Sequence, residues 1–448
     1  MQKAAAKIIA CSTAGETVCA SAARISTTEG TALEIFERAK TKDNNGTLIE
    51  KVVASGHTSV LEHSFFTVAF DSVSVFAEEF VIEFRLGSYT VKSRRYVDYT
   101  NAGFYVPALP DQSVQERFTK HMQSLFSDYA ALLELGVPKE DARFVLPYCF
   151  RSHFYCTMNA RELLHMVHVM TQGRGSLYPE LKMLGESLLE QLRAYFPNVP
   201  EILRARAVPE NDRYALPAAL PAVQEPHAET AQVLLHGCFP AESELQTVFQ
   251  ASASNWMTVS GNLPDPEAVI CGERPRELEL IHAHFEIRNL SLAAITHLVR
   301  HRVQTVLVPH VTQAVLQNAY IIPESVSGNP EALRCYQDAF RRNTAVLREM
   351  LQNGLPEDTV QYFALAGNQL HVTCAMNGRE LLHFIKLRTC SRAQWEIRAC
   401  AVSLLRELRK TAPSVFRYFG PSCFVTGKCP EGRLSCGKQA EMKEIFGS

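Results

Sequence analysis

The stretch that decides the fold is Met-Asn-Ala-Arg-Glu-Leu-Leu-His at 158–165, because it returns as Met-Asn-Gly-Arg-Glu-Leu-Leu-His at 376–383. Seven of the eight positions are identical, at an offset of 218 residues. The leucines in both stretches have the spacing of a buried helix face. Self-similarity at a fixed offset is the mark of an internal repeat, so an internal repeat should show further matches at the same spacing.

Two further matches have nearly the same offset. The segment 74–91 aligns with 291–308 at an offset of 217, and Pro107 matches Pro323 within one residue of that value. These matches predict one domain of roughly 200 residues present twice. The predicted organisation is a first domain at 1–205, a proline-rich linker at 206–226 and a second domain at 227–448.

Each half mixes strand-like and helix-like sequence. Residues 65–70 (Phe-Phe-Thr-Val-Ala-Phe) favour a β-strand, and apolar residues recur with helical spacing in several longer segments. The predicted helices are 73–84, 160–170, 378–387 and 393–408. Because strands and helices do not alternate strictly, the predicted fold class is α+β, as two tandem copies of one fold.

Composition excludes several classes of protein. A formal net charge of −2 over 448 residues provides no overall field for nucleic acid or for an anionic membrane. No apolar run reaches the roughly 18–20 residues of a membrane span, and the N-terminus is a poor signal peptide. Thirteen cysteines, an odd number, indicate reduced thiols rather than a disulfide framework. We therefore expect a soluble, cytoplasmic protein that binds neither nucleic acid nor membrane.

Three clusters could carry chemistry, and each has a structural alternative. Arg300-His301-Arg302 suits bidentate capture of phosphate or of ring carbonyls, or it is simply a basic helix end. The segment 88–96 could hold a monophosphate through hydroxyls, amides and adjacent arginines, or it is a solvated basic loop. In the repeated helix, Arg379 and His383 share a face and Arg388 points elsewhere; the alternative is a helix whose arginines pair with buried acids.

Together these segments resemble the flavin-dependent thymidylate synthases. That family carries Arg-His-Arg, two residues, Ser, one residue, Asn, two residues, Ser, one residue and Arg. It also carries an Ala-Arg-Val/Ile-Ser segment, a Gly-His-x-Ser/Thr-x-x-Glu-His segment and an Asn-x-Arg-x-Leu helix. The first half matches these at 23–26, at 56–63, and at Ser88, Ser93, Arg95, Tyr96, Arg143 and Asn159-Ala160-Arg161. The second half matches at Arg300-His301-Arg302, Asn377-Gly378-Arg379, His383 and Arg388.

The departures from the family pattern divide between the halves. In the first half, Arg-His-Arg has become Glu83-Phe84-Arg85, and Met170 stands where the helix should carry its late arginine. In the second half, the Ser-x-Arg loop has become 305–312 (Thr-Val-Leu-Val-Pro-His-Val-Thr), and Gln361 falls near the place of Arg143. Because each half keeps what the other has lost, the resemblance implies one composite site per chain. The opposite combination, with a carboxylate beside anionic ligands, is expected to be empty.

The resemblance implies reductive methylation of dUMP to dTMP, with methylenetetrahydrofolate as the carbon donor and NADPH as the reductant of bound FAD. Arg388 is the implied catalytic residue, stabilising the ionised pyrimidine as a permanently charged guanidinium. The implied substrate-binding residues are Ser93, Arg94, Arg95, Arg143, His297, Arg300 and Arg388. The implied flavin-binding residues are Ser59, Arg300, His301, Arg302, Asn377, Arg379 and His383, with Ser26 as an addition. A homodimer equivalent to the family's tetramer is also expected.

Two departures keep alternatives open. His297 replaces the family's glutamine three residues before Arg-His-Arg, and the signature asparagine is absent from both halves. The chain could therefore act on another pyrimidine nucleotide, or be a non-catalytic scaffold that binds flavin or nucleotide. The tail cysteines Cys423, Cys429 and Cys436 are spaced more widely than paired zinc ligands and lack an obvious fourth ligand. We therefore assign no metal ligand.

Overall fold

The computed structural model describes residues 3–207, 220–245, 266–272 and 275–447. Residues 208–219, which make up most of the predicted linker, lie outside the described residues. The chain forms two compact units: residues 1–224 with 324–366 make the first, and residues 225–323 with 367–448 make the second. Both mix helices with an antiparallel sheet, which confirms the predicted α+β class.

The first unit is built on a four-stranded antiparallel sheet. Its strands are β1 (Ala5–Cys11), β2 (Phe65–Ser74), β3 (Gly87–Val91) and β4 (Arg151–Asn159), in the order β1-β2-β4-β3. The helices that precede residue 224 are α1 (Gly15–Arg24), α2 (Ala32–Ala39), α3 (Asn45–Ala54), α4 (Val75–Ile82), α5 (Gln112–Glu134), α6 (Lys139–Ala142), α7 (Ala160–Thr171), α8 (Pro179–Arg193) and α9 (Val199–Arg206).

The second unit repeats the sheet. Its strands are β5 (His227–Ala228), β6 (Gln232–Phe239), β7 (His282–Ser291), β8 (Gln304–Leu307), β9 (Ala319–Tyr320) and β10 (Gln369–Asn377). The four-stranded sheet has the order β6-β7-β10-β8, and β5 pairs with β9 in parallel. The helices before residue 323 whose bounds lie within the described residues are α10 (Pro266–Cys271), α11 (Leu292–Leu298) and α12 (Val311–Gln317). Those after 367 are α15 (Gly378–Arg388), α16 (Trp395–Thr411), α17 (Pro413–Phe416), α18 (Ser422–Val425) and α19 (Gln439–Gly447).

Two helices of the second sequence copy, α13 (Glu324–Ser327) and α14 (Pro330–Gln352), pack in the first unit. The long amphipathic helix α5 lies against α14, and a buried hydrogen bond joins His121 Nε2 to Asn343 Oδ1 at 2.8 Å. Burial lowers the pKa of His121 to about 4, so the imidazole is neutral at physiological pH. Two ion pairs, Arg117–Glu349 and Arg342–Asp128, join the same two helices, so polar contacts fix the pairing of their packed faces.

The repeat extends to irregular backbone. Ser72 and Asn289 both have a left-handed backbone, with φ of 55° and 54°. Each N–H donates to a histidine Nδ1 on the adjacent strand, His153 at 3.3 Å and His371 at 3.1 Å. The strand register shifts at both places, as a β-bulge requires. A chance likeness between two halves would not reproduce such a detail, so the predicted duplication is confirmed.

A buried carboxylate anchors the start of one short helix in each copy. The side chains of Ser74 and Ser291 cap α4 and α11 by accepting from the N–H groups of Ala77 and Ala294. Each serine also donates from its N–H and hydroxyl to one glutamate: Ser74 to Glu180, at 2.7 and 2.6 Å, and Ser291 to Glu396. Burial raises the pKa of Glu180, while these donors and Tyr362 OH at 2.9 Å stabilise its charged form.

None of the helices in these four described ranges is both long enough and apolar enough to cross a bilayer.

We predict that Ser74→Ala and Ser291→Ala each destabilise the protein by about 1–3 kcal/mol, because each removes a helix cap and leaves a buried carboxylate short of a donor. The measurement is the calorimetric melting temperature. Ser113→Ala, at an exposed position of α5, is the matched control and should change stability by less than about 0.5 kcal/mol. Melting of Ser74→Ala and Ser113→Ala at the same temperature would show that the anchor contributes nothing.

Candidate active site

The Arg-His-Arg segment follows α11, whose seven residues are all buried. The chain leaves the helix at Val299, and the next three side chains alternate between solvent and core. Arg300 and Arg302 are exposed, whereas His301 is only 2% exposed. The segment therefore presents two guanidiniums outward and holds an imidazole inside, an arrangement that we call the Arg-His-Arg corner.

His301 joins this corner to α15. Its Nδ1 lies 3.1 Å from Glu380 Oε1, and its Nε2 accepts a hydrogen bond from Arg388 Nε at 3.0 Å. Arg388 is the last residue of α15 and also donates from Nη2 to the carbonyl oxygen of His297 at 2.9 Å. The structure thus brings together three predicted site residues, His297, His301 and Arg388, and adds Glu380, which was not predicted. Two hydrogen bonds within the protein hold the Arg388 side chain in place.

Electrostatics keep His301 neutral. Burial lowers its pKa below the ordinary value of 6.5, and the charge of Arg388 and the nearby His383 act in the same direction. The hydrogen bond to Glu380 opposes them without reversing the direction. A neutral imidazole carries one proton. With Arg388 donating to Nε2 and the Glu380 carboxylate facing Nδ1, the proton of His301 lies on Nδ1.

The exposed side of α15 carries Arg379 and His383. The His383 ring lies edge-on to His301, with ring centroids 5.3 Å apart. Arg379 forms an ion pair with Glu279 at 2.6 Å. Asn377 has a structural task, because its Oδ1 caps α15 by accepting from the N–H of Glu380 at 2.9 Å.

The donor set of this face fits a flavin nucleotide. Arg300, Arg302 and Arg379 are exposed cations, and His383 adds a ring beside them. Guanidiniums suit phosphate and ring carbonyl oxygens, and planar rings suit an isoalloxazine. These residues could therefore hold an anionic, aromatic cofactor.

Across the described residues, no group of three or more His, Cys, Asp or Glu side chains is arranged to hold a metal ion. Cys423 is buried, and Cys429 and Cys436 are partly exposed.

The predicted phosphate loop lies in the first unit. Ser93 Oγ accepts from the N–H of Arg95 at 3.3 Å, which curls the chain locally. Arg95 forms a two-point pair with Glu140, with Nε–Oε1 at 2.6 Å and Nη2–Oε2 at 3.2 Å. The fork of Arg95 is thus oriented by a carboxylate, an anion of the same planar binding geometry as phosphate.

Arg94 is committed to the interior. It pairs with Glu78 and, at 3.4 Å, with Glu79, and its guanidinium lies 5.5 Å from the centroid of the Phe150 ring. Burial alone would lower its pKa, but the two carboxylates raise it above its ordinary value. Glu78 is 1% exposed and also accepts from Ser152 Oγ. Through these contacts Arg94 holds the predicted phosphate loop against the interior of the first unit.

Arg143 is a buried arginine whose guanidinium is only partly hydrogen-bonded. It is buried, and its Nε donates to the carbonyl of Glu140 at 2.9 Å, but its Nη2 has no hydrogen-bond partner. Burial, together with the charges of Arg94 and Arg95, lowers the pKa of Arg143 to about 10. Since an unpartnered buried donor costs about 1–3 kcal/mol, this group is poised to gain from an anionic ligand.

The second copy shows what replaces Arg143. Gln361 repeats the local bond by donating from Nε2 to the carbonyl of Asp358, three residues earlier as in Arg143. The second copy therefore keeps the side-chain bond to the backbone but lacks the positive charge of Arg143.

In the first copy, the counterpart of the Arg-His-Arg corner is closed. Glu83 pairs with Arg174, whose guanidinium lies 5.2 Å from the centroid of the Phe80 ring. Phe84, at the place of His301, packs edge-on against His165 with centroids 5.6 Å apart. Met170, at the place of Arg388, is fully buried. Apolar packing thus replaces the polar chain of the second copy.

The remaining predicted residues lie on the surface of the first unit. Ser59 is exposed in a 3₁₀ segment at 58–63, and Ser26 is exposed just after α1. Arg24, from the Ala-Arg-Ile-Ser segment, donates to Asn45 Oδ1 at 2.7 Å and Asn44 Oδ1 at 3.0 Å.

Sequence reasoning missed three carboxylates. Glu380 stands inside the repeated octapeptide, so its identity in both copies was an available signal. The sequence holds no comparable signal for Glu140 or Glu78. Glu140 lies 45 residues after Arg95 and Glu78 lies 16 residues before Arg94, and only the folded chain brings each pair together.

Comparison with known proteins identifies the family of this chain. The family model described as thymidylate synthase complementing protein matches residues 7–198 and 269–414. A flavin-dependent thymidylate synthase of Geobacter sulfurreducens is 37% identical over 172 residues, which are 37% of this chain and 74% of that protein. Another from Clostridium tetani is 33% identical over 186 residues, or 38% and 74%.

A solved structure, a UMP/dUMP methylase PolB from Streptomyces cacaoi bound with 5-Br dUMP, is 25% identical with a TM-score of 0.39. The match covers 46% of this chain and 96% of that one. The two segments matched by the family model cover well over half of the chain and coincide with its two copies. This chain therefore belongs to the thymidylate synthase complementing protein family.

Proposed function

We propose that the protein catalyses the flavin-dependent reductive methylation of dUMP to dTMP. The observation that carries this proposal is the preassembled pair of Arg388 and neutral His301 in the second copy, set beside exposed cations that fit a flavin. Its relatives named flavin-dependent thymidylate synthase support the reaction class. Methylenetetrahydrofolate is the carbon donor and NADPH the reductant in this proposal.

Arg300, Arg302, Arg379 and His383 would hold the flavin, and Asn377 would fix the start of the helix that carries Arg379 and His383. His301, which the resemblance also assigns to the flavin, is buried with both ring nitrogens bonded to Glu380 and Arg388, so it would support the corner rather than touch the cofactor. FAD, when bound, supplies the hydride chemistry that protein side chains cannot perform. The task of the protein is then to orient the cofactor, keep water out and stabilise charge on the pyrimidine.

Arg388 would stabilise negative charge on the pyrimidine ring. A guanidinium is always charged and has no proton to lose near neutral pH, so it lowers the energy of an anionic ring without exchanging a proton. Within the protein, the Nε of Arg388 donates to His301 Nε2 and its Nη2 donates to the carbonyl oxygen of His297. Those bonds prevent the side chain from swinging, so less entropy is lost when the substrate binds.

Ser93, Arg95 and Arg143 would bind the dUMP phosphate. In this proposal, the phosphate satisfies the buried Nη2 of Arg143 and competes with Glu140 for the fork of Arg95. Arg94 would support the loop through Glu78 rather than touch the phosphate. In this proposal the first copy supplies the phosphate loop and the second copy supplies the Arg-His-Arg corner.

The working protein in this proposal is cytoplasmic and a homodimer, which equals a tetramer of single-copy synthases. A second candidate substrate is another pyrimidine nucleotide. The observation that favours it is His297, a buried residue that stands in place of the family's glutamine. The backbone carbonyl of the same residue accepts a hydrogen bond from Arg388.

We predict that Arg388→Ala lowers the rate of dUMP methylation by at least about 10²–10³-fold while FAD stays bound, because the guanidinium stabilises the transition state rather than the cofactor. The measurement is tritium release from [5-³H]dUMP together with the flavin content of the purified variant. Arg161→Ala, on the equivalent helix of the first copy, is the control and should behave as the wild type. Equal loss of FAD and activity in Arg388→Ala would show that Arg388 binds the cofactor and would contradict its proposed role toward the pyrimidine.

We predict that Arg143→Gln raises the KM for dUMP about 10–100-fold, because one charge-assisted hydrogen bond contributes roughly 1.5–3 kcal/mol. The variant copies Gln361, which keeps the same backbone bond, so the fold should survive. Steady-state kinetics and flavin content are the readouts. Arg85→Gln, an exposed arginine of the closed corner, is the control. An unchanged KM in Arg143→Gln would remove Arg143 from the phosphate site.

We predict that kcat falls as the pH drops below about 6.5, while the profile above that value is independent of His301. The folded pKa of His301 lies below its ordinary value, so the neutral imidazole is the native form, and its contribution is lost only as the pH falls toward the folded pKa. Protonation of Nε2 ends its ability to accept from Arg388. A pH–rate profile measured between about pH 5 and 8 checks this, and an acid limb centred above 6.5 would contradict it.

A further inference from the structure

The repeated octapeptide places a glutamate at the same helix position in each copy, Glu162 in α7 and Glu380 in α15. Both have their N–H bonded to the capping asparagine at 2.9 Å. Only Glu380 has a histidine partner, because Phe84 occupies the place of His301 in the first copy. The chain therefore contains the same acid with and without the catalytic partner.

Glu380 is buried, at 7% exposed, and its Oε1 faces Nδ1 of His301 at 3.1 Å. On the other side of the ring, Arg388 Nε donates to Nε2 at 3.0 Å. The hydrogen bonds run in one direction, from Arg388 to His301 to Glu380. A carboxylate can only accept and a guanidinium can only donate, so these two ends together allow a single neutral tautomer of the ring.

We propose that Glu380 is a positioning residue that fixes His301 in the Nδ1–H tautomer and thereby aims Arg388. This inference rests on the proposed function, because the purpose of the fixed tautomer is to present the guanidinium of Arg388 to the pyrimidine. Glu380 itself lies behind the ring and touches neither substrate nor cofactor in this account.

The fixed tautomer matters because the opposite one would be repulsive. An Nε2–H proton would point at the N–H of Arg388, and the guanidinium would then be held only through the carbonyl of His297. A glutamine at 380 permits both tautomers, since a side-chain amide has both an accepting oxygen and a donating NH₂. On the Nδ1 side of the ring, only an acid excludes the Nε2–H form, because a glutamine amide could rotate and donate to an unprotonated Nδ1.

The kinetic test compares Glu380→Gln with Glu162→Gln. We expect Glu380→Gln to lower kcat about 10–100-fold, the range found for outer partners that orient metal-bound histidines. The KM for dUMP and the bound FAD should stay close to wild type. Glu380→Asp should recover part of the loss by restoring the acceptor charge, and Glu162→Gln should match wild type. A wild-type kcat for Glu380→Gln, or equal losses in Glu380→Gln and Glu162→Gln, would overturn the proposal.

A second readout does not depend on activity. Solid-state ¹⁵N NMR of histidine-labelled protein reports which ring nitrogen is protonated, and the His301 signals are those missing from His301→Phe, which copies Phe84. We expect Nδ1–H with unprotonated Nε2 in the wild type at neutral pH, and a mixture in Glu380→Gln. An Nε2–H signal in the wild type, or no change in Glu380→Gln, would overturn the positioning role.

The two readouts separate this proposal from the proposed function. If the wild-type chain does not methylate dUMP but the NMR result is as expected, the function is wrong and the tautomer assignment stands. If the chain methylates dUMP but the tautomer does not respond to Glu380→Gln, the function stands and the positioning role is wrong.

Discussion

The hydrogen bond from Arg388 to His301 is the interaction on which the site depends. It requires a neutral, buried imidazole, which in turn requires the apolar helix α11 on one side and the carboxylate of Glu380 on the other. A charged guanidinium at a helix end would otherwise sample many rotamers in water. Here its direction is decided before ligand arrives, which is the electrostatic preorganisation that enzymes use to stabilise developing charge.

The two copies share one scaffold but differ in their site residues. The sheet order, the bulge at Ser72 or Asn289 and the buried serine–glutamate anchor are the same in both. The chemistry differs, because the first copy fills its corner with Phe84 and Met170, and the second replaces Arg143 by Gln361. A scaffold that is stabilised separately from its site can lose a site and still fold, so duplication can be followed by division of labour.

Much of the fold and part of the site could be predicted from the sequence. The strand at β2 and the helices α4, α7, α15 and α16 follow from local periodicity, which depends only on neighbours in the chain. The role of Arg94 as an interior anchor could not be predicted, because a motif gives the residue type but not its partner. Only the folded chain shows that Glu78 meets Arg94 and that Glu140 holds Arg95.

The central claim is that each chain carries one working corner. It is tested most directly by an anaerobic titration of the purified protein, following flavin absorbance with NADPH and then with dUMP and methylenetetrahydrofolate. The account predicts one FAD per chain, reduced by NADPH and reoxidised only when both substrates are present. Two flavins per chain would contradict the closure of the Glu83–Phe84 corner, and the absence of flavin would contradict the synthase itself.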